Sequence, residues 1–491
     1  MIALGFGQAR ERRPIEGAAA IGKTGREHRN PVAQLGGPAA ARALPIRSGE
    51  SLLAVQAAAH DRVRVLMPRC EFRPRRGHVG DGLTPPGGSA TILAHRRALG
   101  LPGMPVEFYR HPLTAEDSRK VADVLATPFL TSGDVGRGVE AQLRAFFEAP
   151  HALLLNSWTN GAHAALLALG IGPGDEVVVP AMTFIATANV VEHVGATPVF
   201  VDVDPDTLLV TPALVSAAVT ARTRAVIPVH LYGQMVDMAG LRRALAHRLD
   251  IALIEDCAHA FEAERDGDRP GAHSDVAIFS FYATKNVTCG EGGAIVTRDA
   301  ALYDKLVQTR RHGMTADAVD RYRDGRYRHW DMVRLGVKAN LPDLLAALLP
   351  DQIGSIRERL PVRRALAERY RQAFWNTPIR LVQDAPAVVH AHHLYPIHVP
   401  PPVRDKAIAA LNARGIGVTV NYRAVPRMSY YRGRFGDLDR SVPVSTLWGE
   451  GTISLPLYPG LTRAEQDEVI AAVRERVVPL VLEAPEARNP G

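Results

Sequence analysis

Lys285 is the residue whose surroundings most clearly suggest chemistry. It lies in a short polar turn after the apolar run Val276–Phe279, and a second apolar run, Ala294–Val296, follows a glycine-rich segment. Burial between two strands would lower the pKa of a lysine, because it disfavours the charged ammonium, and the neutral amine could then attack a carbonyl group. The alternative is a surface lysine in a β-hairpin, and this segment alone does not separate the two.

Asp256 follows another apolar run, Ile251–Ile254, and precedes Lys285 by 29 residues. The run predicts a buried strand that places Asp256 at its carboxyl end, the edge where open α/β sheets bind ligands. A carboxylate there could keep a pyridine nitrogen protonated, which pyridoxal phosphate needs in order to act as an electron sink. A helix N-cap aspartate is the competing interpretation. The combination of this aspartate with a strand-flanked lysine favours the cofactor.

A phosphate-binding segment is expected near Ser157. The apolar run Leu153–Leu155 leads into small polar residues, and a helix is predicted over Ala162–Leu169. Backbone N–H groups and hydroxyls at a helix N-terminus bind phosphate well. An ordinary serine or threonine cap would give the same pattern.

The elements that must position these residues alternate between short apolar runs and amphipathic segments. This pattern predicts an α/β domain with a mainly parallel sheet. We expect a large domain over residues 104–375 and a smaller C-terminal α+β domain over residues 376–485. The predicted buried strands are Glu176–Pro180, Pro198–Asp202, Ala225–Val229 and Ile251–Glu255.

Residues 1–103 carry the excess of positive charge. They hold 16 Lys+Arg and 7 Asp+Glu, whereas the rest of the chain holds 42 and 44 and is nearly neutral. They show neither helical nor strand periodicity. Three interpretations are open: a disordered basic arm, a targeting peptide without the usual apolar core, or wrongly translated sequence before a true start at Met104. We favour the last, because periodic sequence begins directly after Met104.

The composition also argues against several classes of protein. The chain has no run of about 18 apolar residues, so we expect no membrane span. The three cysteines, Cys70, Cys257 and Cys289, are too few and too scattered for a disulfide framework or a zinc site, and we expect no metal. A nearly neutral remainder gives no reason to expect nucleic-acid binding. The cytoplasm is the expected location.

Several motifs, in the same order along the chain, resemble the DegT/DnrJ/EryC1/StrS family of sugar aminotransferases over residues 106–478. This resemblance implies a pyridoxal-phosphate-dependent enzyme of transferase fold type I, the aspartate-aminotransferase-like fold. The motifs are Gly170–Glu176, Pro180–Ala186, Gly195–Asp202, Pro228–Gln234, Glu255–His259 and Phe279–Asn286.

The resemblance assigns roles in cofactor binding to particular residues. Lys285 matches the lysine that forms a Schiff base with pyridoxal 5′-phosphate, and Asp256 matches the partner of its pyridine nitrogen. Further matches are His259 on the side of the 3-hydroxyl group, Phe184 as the aromatic ring that stacks on the cofactor, and Trp158, Thr159 and Ser280 at the phosphate.

Other matches concern the partner subunit and the sugar. Asn340 matches an asparagine that reaches the cofactor phosphate of the neighbouring subunit, which implies a homodimer with shared active sites. The surroundings of Asn340 depart from the family's usual sequence at Pro342. Arg423 is a candidate partner for a nucleotide diphosphate, because a guanidinium suits phosphate oxygens, although a structural surface pair is equally compatible. His329 and His230 are candidate sugar contacts.

The expected activity is amino transfer from L-glutamate, with release of 2-oxoglutarate, to a nucleotide-linked keto sugar in cell-surface polysaccharide or amino-sugar biosynthesis. Segments Asn286–Gly293, Arg414–Val418 and Asn421–Arg423 resemble enzymes that aminate C4 of UDP-4-keto sugars. One alternative is a sugar 3-dehydrase that uses the pyridoxamine form of the cofactor, but such enzymes carry histidine in place of Lys285. The other is a non-catalytic regulator that binds the cofactor.

Overall fold

The computed structural model describes residues 106–315, 327 and 329–484. The prediction for residues 1–103 lies outside this part of the chain. A seven-stranded sheet has the strand order β1-β8-β7-β5-β4-β2-β3. Its strands are β1 (His151–Leu155), β2 (Glu176–Pro180), β3 (Thr197–Val201), β4 (Thr223–Val226), β5 (Ala252–Asp256), β7 (Val276–Ser280) and β8 (Gly293–Thr297).

The large sheet is mainly parallel, as predicted. β8 is antiparallel to both of its neighbours, β1 and β7. The pairs β7–β5, β5–β4, β4–β2 and β2–β3 are parallel. The carboxyl ends of β1, β2, β5 and β7 therefore meet at one edge of the sheet.

Helices cover both faces of this sheet, which explains why its strands read as continuous apolar runs. Leu153 and Leu155 pack with α3 on one face, whereas Leu154 packs with Leu143 of α2 on the other. The helices over residues 115–374 are α1 (Ala115–Leu125), α2 (Asp134–Phe147), α3 (Trp158–Leu169), α4 (Ala186–His193), α5 (Pro212–Ala218), α6 (Met238–Ala244), α7 (Ala300–Thr309), α8 (Asp343–Ala346) and α9 (Pro350–Phe374).

The start of α2 is held by a carboxylate from α8. Asp343 accepts the backbone N–H groups of Gly133, Gly136 and Val135 at 2.9, 3.0 and 3.2 Å. These are the N–H groups that a helix leaves without partners in its first turn. Asp343 is buried, so its charge is stabilised by these donors and by the positive end of the helix dipole.

The C-terminal part of the chain has a sheet and an apolar core of its own. Strand β11 (Tyr395–His398) is antiparallel to β9 (Arg380–Leu381) on one side and to β12 (Thr452–Leu455) on the other. Ile397, Ile453, Leu411 and Val469 belong to one buried cluster, which also contains Phe374 at the end of α9. The boundary at residue 376 stays a prediction.

The remaining elements belong mostly to this C-terminal part. The strands are β6 (Glu264–Arg265), β9 (Arg380–Leu381), β10 (Val388–Val389), β11 (Tyr395–His398) and β12 (Thr452–Leu455), and the helices are α10 (Pro401–Ala413), α11 (Ser429–Phe435), α12 (Pro443–Gly451), α13 (Arg463–Ala472) and α14 (Val478–Glu483). Short 3₁₀ turns lie at Leu231–Gly233 and Val425–Arg427, and a π-helical turn at Val473–Val477 joins α13 to α14. Within the described residues, none of the helices is long and apolar enough to span a membrane.

Candidate active site

A cavity of about 520 Å³ opens at the carboxyl edge of the large sheet. Its walls come from the residues that follow β1, β2, β5 and β7, and from the segment that precedes β8. Seven of the residues predicted from the sequence line it together: Trp158, Thr159, Phe184, Asp256, His259, Ser280 and Lys285.

Asp256 ends β5 and is buried in the wall of the cavity. Its Oδ1 accepts the N–H of Ala258 at 3.1 Å, and its Oδ2 accepts the hydroxyl of Thr187 at 3.0 Å. Burial raises the pKa of this carboxyl to about 6, while the two donors and the positive charge of Lys285 oppose that rise. At neutral pH Asp256 is therefore still mostly ionised.

Lys285 lies in a tight turn after β7, where its N–H donates to the carbonyl oxygen of Tyr282 at 2.9 Å. Burial lowers the pKa of its amine from 10.5 to about 8, and the nearby Asp256 carboxylate opposes that shift. A lysine with such a pKa is partly neutral near neutral pH. The neutral amine is the form that could act as a nucleophile or a base.

A buried polar network fixes the residue that follows Lys285. Asn286 donates from Nδ2 to Glu262 at 2.8 Å, and its Oδ1 lies 3.1 Å from Nδ1 of His393. Glu262 is paired with Arg363, and both side chains are buried. The backbone of the lysine turn is thereby held against the C-terminal part of the chain.

The N-terminus of α3 faces the same cavity. Ser157 caps the helix by accepting the N–H of Asn160 at 3.0 Å, and the backbone N–H groups of Trp158 and Thr159 belong to its first turn. This end of the helix is packed tightly against β8. A Cβ atom on Gly293 would lie 2.8 Å from the backbone nitrogen of Trp158, so only glycine lets the helix start approach the strand so closely.

His259 and Tyr422 form the side wall of the cavity. Nδ1 of His259 accepts the backbone N–H of Tyr232 at 3.1 Å, so its ring proton must be on Nε2, which lies 3.1 Å from the hydroxyl of Tyr422. Burial holds the pKa of His259 well below its usual value, and the ring is neutral. Phe184 packs 5.7 Å from the ring of Tyr422 and is 53% exposed, as a ring that stacks on a ligand would be.

His230 does not line the cavity, and the prediction that it contacts the sugar is wrong. It is fully buried, with Nδ1 accepting the N–H of Val236 at 3.1 Å and Nε2 lying 2.8 Å from Glu255. The backbone donor places the ring proton on Nε2, so His230 donates to Glu255. Cys257 lies close to the same carboxylate, but the ring has no lone pair left for a metal ion in this arrangement.

Three further predictions are not decided by these positions. Asn340 lies outside the cavity lining and donates to Ser132 at 2.8 Å, while its Oδ1 is buried without a partner among the described residues. Arg423 is paired with Glu450 at 3.2 Å beside the cavity-lining Tyr422. His329 is exposed and packs edge-on against Tyr327. Their roles stay predictions.

Sequence reasoning did not single out several residues of the site. Thr183 and Thr187 line the cavity behind Asp256, and Tyr422 lies next to His259. The spacing of the two threonines by four residues was a usable signal, because such residues share one side of a helical turn. Tyr422 is 163 residues from His259, and no local pattern indicates that contact.

The donor set fits pyridoxal phosphate. A cavity-lining amine suits its aldehyde, a buried carboxylate suits its ring nitrogen, an exposed aromatic ring suits its face, and a helix N-terminus flanked by the hydroxyls of Thr159 and Ser280 suits its phosphate. These groups converge from four separate segments of the chain.

Comparison with known proteins agrees with this arrangement. Spr1654 of Streptococcus pneumoniae, named as a sugar aminotransferase and solved in PMP and PLP forms, is 28% identical in the PMP form, with a TM-score of 0.72 over 76% of this chain and 100% of that chain. DesV of S. venezuelae, solved in complex with a ketimine intermediate, is 34% identical, with a TM-score of 0.68 over 78% and 96%. An aminotransferase from Brucella abortus is 29% identical, with a TM-score of 0.67 over 78% and 97%.

The family model for these enzymes matches residues 112–474, which is most of the chain. The fold and family predicted from the sequence motifs are therefore confirmed. This protein belongs to the DegT/DnrJ/EryC1/StrS aminotransferase family.

Proposed function

We propose that the protein transfers the amino group of L-glutamate to the C4 keto group of a nucleotide-linked sugar, with pyridoxal 5′-phosphate as its cofactor. Its family and its solved relatives support the reaction class, a pyridoxal-phosphate-dependent sugar aminotransferase. One observation carries the assignment to this site: Asp256 and Lys285 share a cavity with the N-terminus of α3. Pyridoxal phosphate supplies the electron sink for charge that develops on the α-carbon of the amino acid.

Lys285 has two tasks in this proposal. Its amine binds the cofactor through the aldehyde carbon before the reaction. Once L-glutamate has displaced it, Nζ would be free to accept the proton of the α-carbon and to return it on the cofactor side of the bond. The lowered pKa of about 8 leaves a substantial share of the free amine neutral, which is the form that can accept a proton.

The remaining residues orient the cofactor and set its charge. Asp256 holds the ring nitrogen protonated, and Phe184 covers one face of the ring. The N–H groups at the start of α3, with the hydroxyls of Thr159 and Ser280, bind the phosphate. Hydrolysis would release 2-oxoglutarate and leave the amino group on the cofactor, and the same residues would then act on the keto sugar in the reverse order.

The nucleotide-linked sugar is an acceptor that suits the aromatic lining of the cavity. Phe108, Tyr282 and Tyr422 line it with aromatic rings, on which a sugar ring can pack. Arg423 is 43% exposed beside this wall, where its guanidinium can exchange Glu450 for a diphosphate. The sequence segments that resemble C4 aminating enzymes support the position of transfer.

A homodimer with shared active sites is part of the proposal. Among the described residues that line the cavity, Lys285 is the sole cation, so the carboxylates of L-glutamate need a positive charge from another segment or a second subunit. Phe129 and Leu130 are exposed next to Thr131 and Ser132, the residues that Asn340 contacts. This apolar surface beside Asn340 is a suitable interface for a second copy.

The first test is a half-reaction. The protein loaded with pyridoxal phosphate should show an absorbance band near ~420 nm, and L-glutamate should replace it with a band near ~330 nm. Lys285→Ala should abolish the change, whereas Lys406→Ala, which removes an exposed lysine on α10, should leave it intact. A regulator without turnover would keep the first band after L-glutamate is added, and that result would refute amino transfer.

The second test concerns the acceptor. The form produced by L-glutamate should return to the ~420 nm band when the correct keto sugar is added. A panel of UDP-, GDP- and dTDP-linked 4-keto and 3-keto sugars identifies the nucleotide and the carbon. Reaction with free keto sugars as fast as with nucleotide-linked ones would contradict the proposed substrate class.

A further inference from the structure

Two buried threonines lie behind Asp256. Thr183 is in the loop after β2, and Thr187 is in the first turn of α4; each is 1% exposed. Oγ1 of Thr187 lies 3.0 Å from Oδ2 of Asp256, and Oγ1 of Thr183 lies 2.9 Å from Oγ1 of Thr187. The three side chains form a continuous line of hydrogen bonds, which we call the hydroxyl chain.

The direction of the hydroxyl chain follows from proton counting. An ionised carboxylate can only accept hydrogen bonds, so Thr187 must donate to Asp256. A hydroxyl carries one hydrogen, and Thr187 has used it. The contact between the threonines therefore runs from Thr183 to Thr187. Hydrogen bonds arranged head to tail polarise one another, so Thr183 strengthens the bond that Thr187 donates to Asp256.

The carboxylate needs such donors because of its position. Burial is the largest influence on Asp256 and raises its pKa to about 6. The N–H of Ala258, the hydroxyl of Thr187 and the charge of Lys285 act in the opposite direction. Tyr422 and Cys257 also face Asp256; burial raises the pKa of each, and the charge of Asp256 adds to that rise. Neither of them offers a compensating positive charge.

We propose that Thr183 and Thr187 are positioning residues that keep the shared proton on the ring nitrogen of the cofactor rather than on Asp256. This inference rests on the proposed function for its cofactor. A ring nitrogen that loses its proton to Asp256 is a poorer electron sink, so the threonines act on the reaction without touching the reacting atoms.

The test measures where that proton lies. Pyridoxal phosphate labelled with nitrogen-15 in the ring is bound to the wild type and to four variants, and the chemical shift of the ring nitrogen is recorded by NMR. Thr187→Val removes the hydroxyl at nearly constant shape, and Thr187→Ser keeps it. Thr183→Val and Thr183→Ser make the same comparison one residue further from Asp256.

Thr187→Val should move the signal towards the unprotonated value, because a lost bond to a charged group shifts the proton equilibrium about tenfold or more towards Asp256. Thr187→Ser should match the wild type. Thr183→Val should cause a smaller shift in the same direction, and Thr183→Ser none. If Thr187→Val does not fold, the Thr183 pair decides the question alone.

Two outcomes would overturn the inference alone: a folded, loaded Thr187→Val with the wild-type signal, or valine and serine variants that shift equally. In the second case the side-chain packing, and not the hydroxyl, would be responsible. A wild-type protein that binds no pyridoxal phosphate would instead overturn the proposed function. The loaded wild type therefore separates the two failures before any variant is compared.

Discussion

Replacement of Gly293 by alanine should weaken cofactor binding and destabilise the fold together. The added Cβ would lie 2.7 Å from the carbonyl carbon of Ser157, and 2.8 Å from both the carbonyl oxygen of Phe279 and the nitrogen of Trp158. Ordinary contact begins at 3.4 Å, so the helix start and β8 must separate by about 0.6 Å. All three atoms are backbone atoms, which cannot rotate away.

The cost can be estimated from the packing. Overpacking of a tight interior typically costs about 1–3 kcal/mol. The displaced atoms include the N–H of Trp158, at the end of α3 that is proposed to bind phosphate. We therefore expect the free energy of unfolding to decrease by about 1–3 kcal/mol and the Kd for pyridoxal phosphate to increase about tenfold. Denaturant unfolding of the cofactor-free protein and equilibrium dialysis measure the two quantities separately.

Gly138 provides a matched control within α2. A Cβ there meets no atom within 4 Å, so Gly138→Ala should stabilise the helix by about 0.5–1 kcal/mol and leave the Kd unchanged. The same chemical change is thus expected to have opposite effects at the two positions. A stable Gly293→Ala protein with the wild-type Kd would show that close packing of α3 against β8 does not form the phosphate site.

Three other predictions follow from particular contacts. Asp343→Ala should lower the free energy of unfolding by about 3 kcal/mol, because three N–H groups lose their acceptor. Asp351→Ala, which removes an exposed ion pair, should lower it by less than about 1 kcal/mol. Denaturant unfolding of the two variants and the wild type measures both changes. Stopped-flow absorbance measures the rate at which the cofactor-free protein binds pyridoxal phosphate. This rate should rise about tenfold from pH 6 to 7 and level off above the Lys285 pKa of about 8, because the neutral amine is the form that reacts. A rate that keeps rising to pH 10 would contradict the lowering of this pKa by burial. Mixing Lys285→Ala with Asn340→Ala protomers should restore about a quarter of wild-type activity if Asn340 acts in the partner's site, and none if it acts in its own.

The sequence predicted the frame of the site because the frame depends on local patterns. β2 has the predicted bounds, Glu176–Pro180. Continuous apolar runs and helical spacing are local properties, and the parallel order of the strands then brings their carboxyl ends together. Asp256 and Lys285 could therefore be placed in one site before any contact was known.

Side-chain directions at the site could not be predicted in the same way. His230 follows an apolar run, as a ligand-binding residue would, yet Glu255 on the neighbouring strand binds its ring in the interior. Whether a polar residue after a strand faces the cavity or the core depends on partners far away in the sequence. The chain Thr183–Thr187–Asp256 was missed for the same reason, because the last contact spans 69 residues.

Burial shifts the pKa values of the two central groups in opposite directions, raising that of Asp256 and lowering that of Lys285. Burial favours the neutral form of both Asp256 and Lys285, and their mutual attraction favours the charged form of both. The reaction needs the pair in unlike states, with the carboxylate ionised and the amine neutral. Each time Lys285 becomes neutral, it ceases to stabilise the charge of Asp256. The bonds from Thr187 and Ala258 do not change with the state of Lys285, so they can hold Asp256 ionised at the moment when the amine takes up its proton.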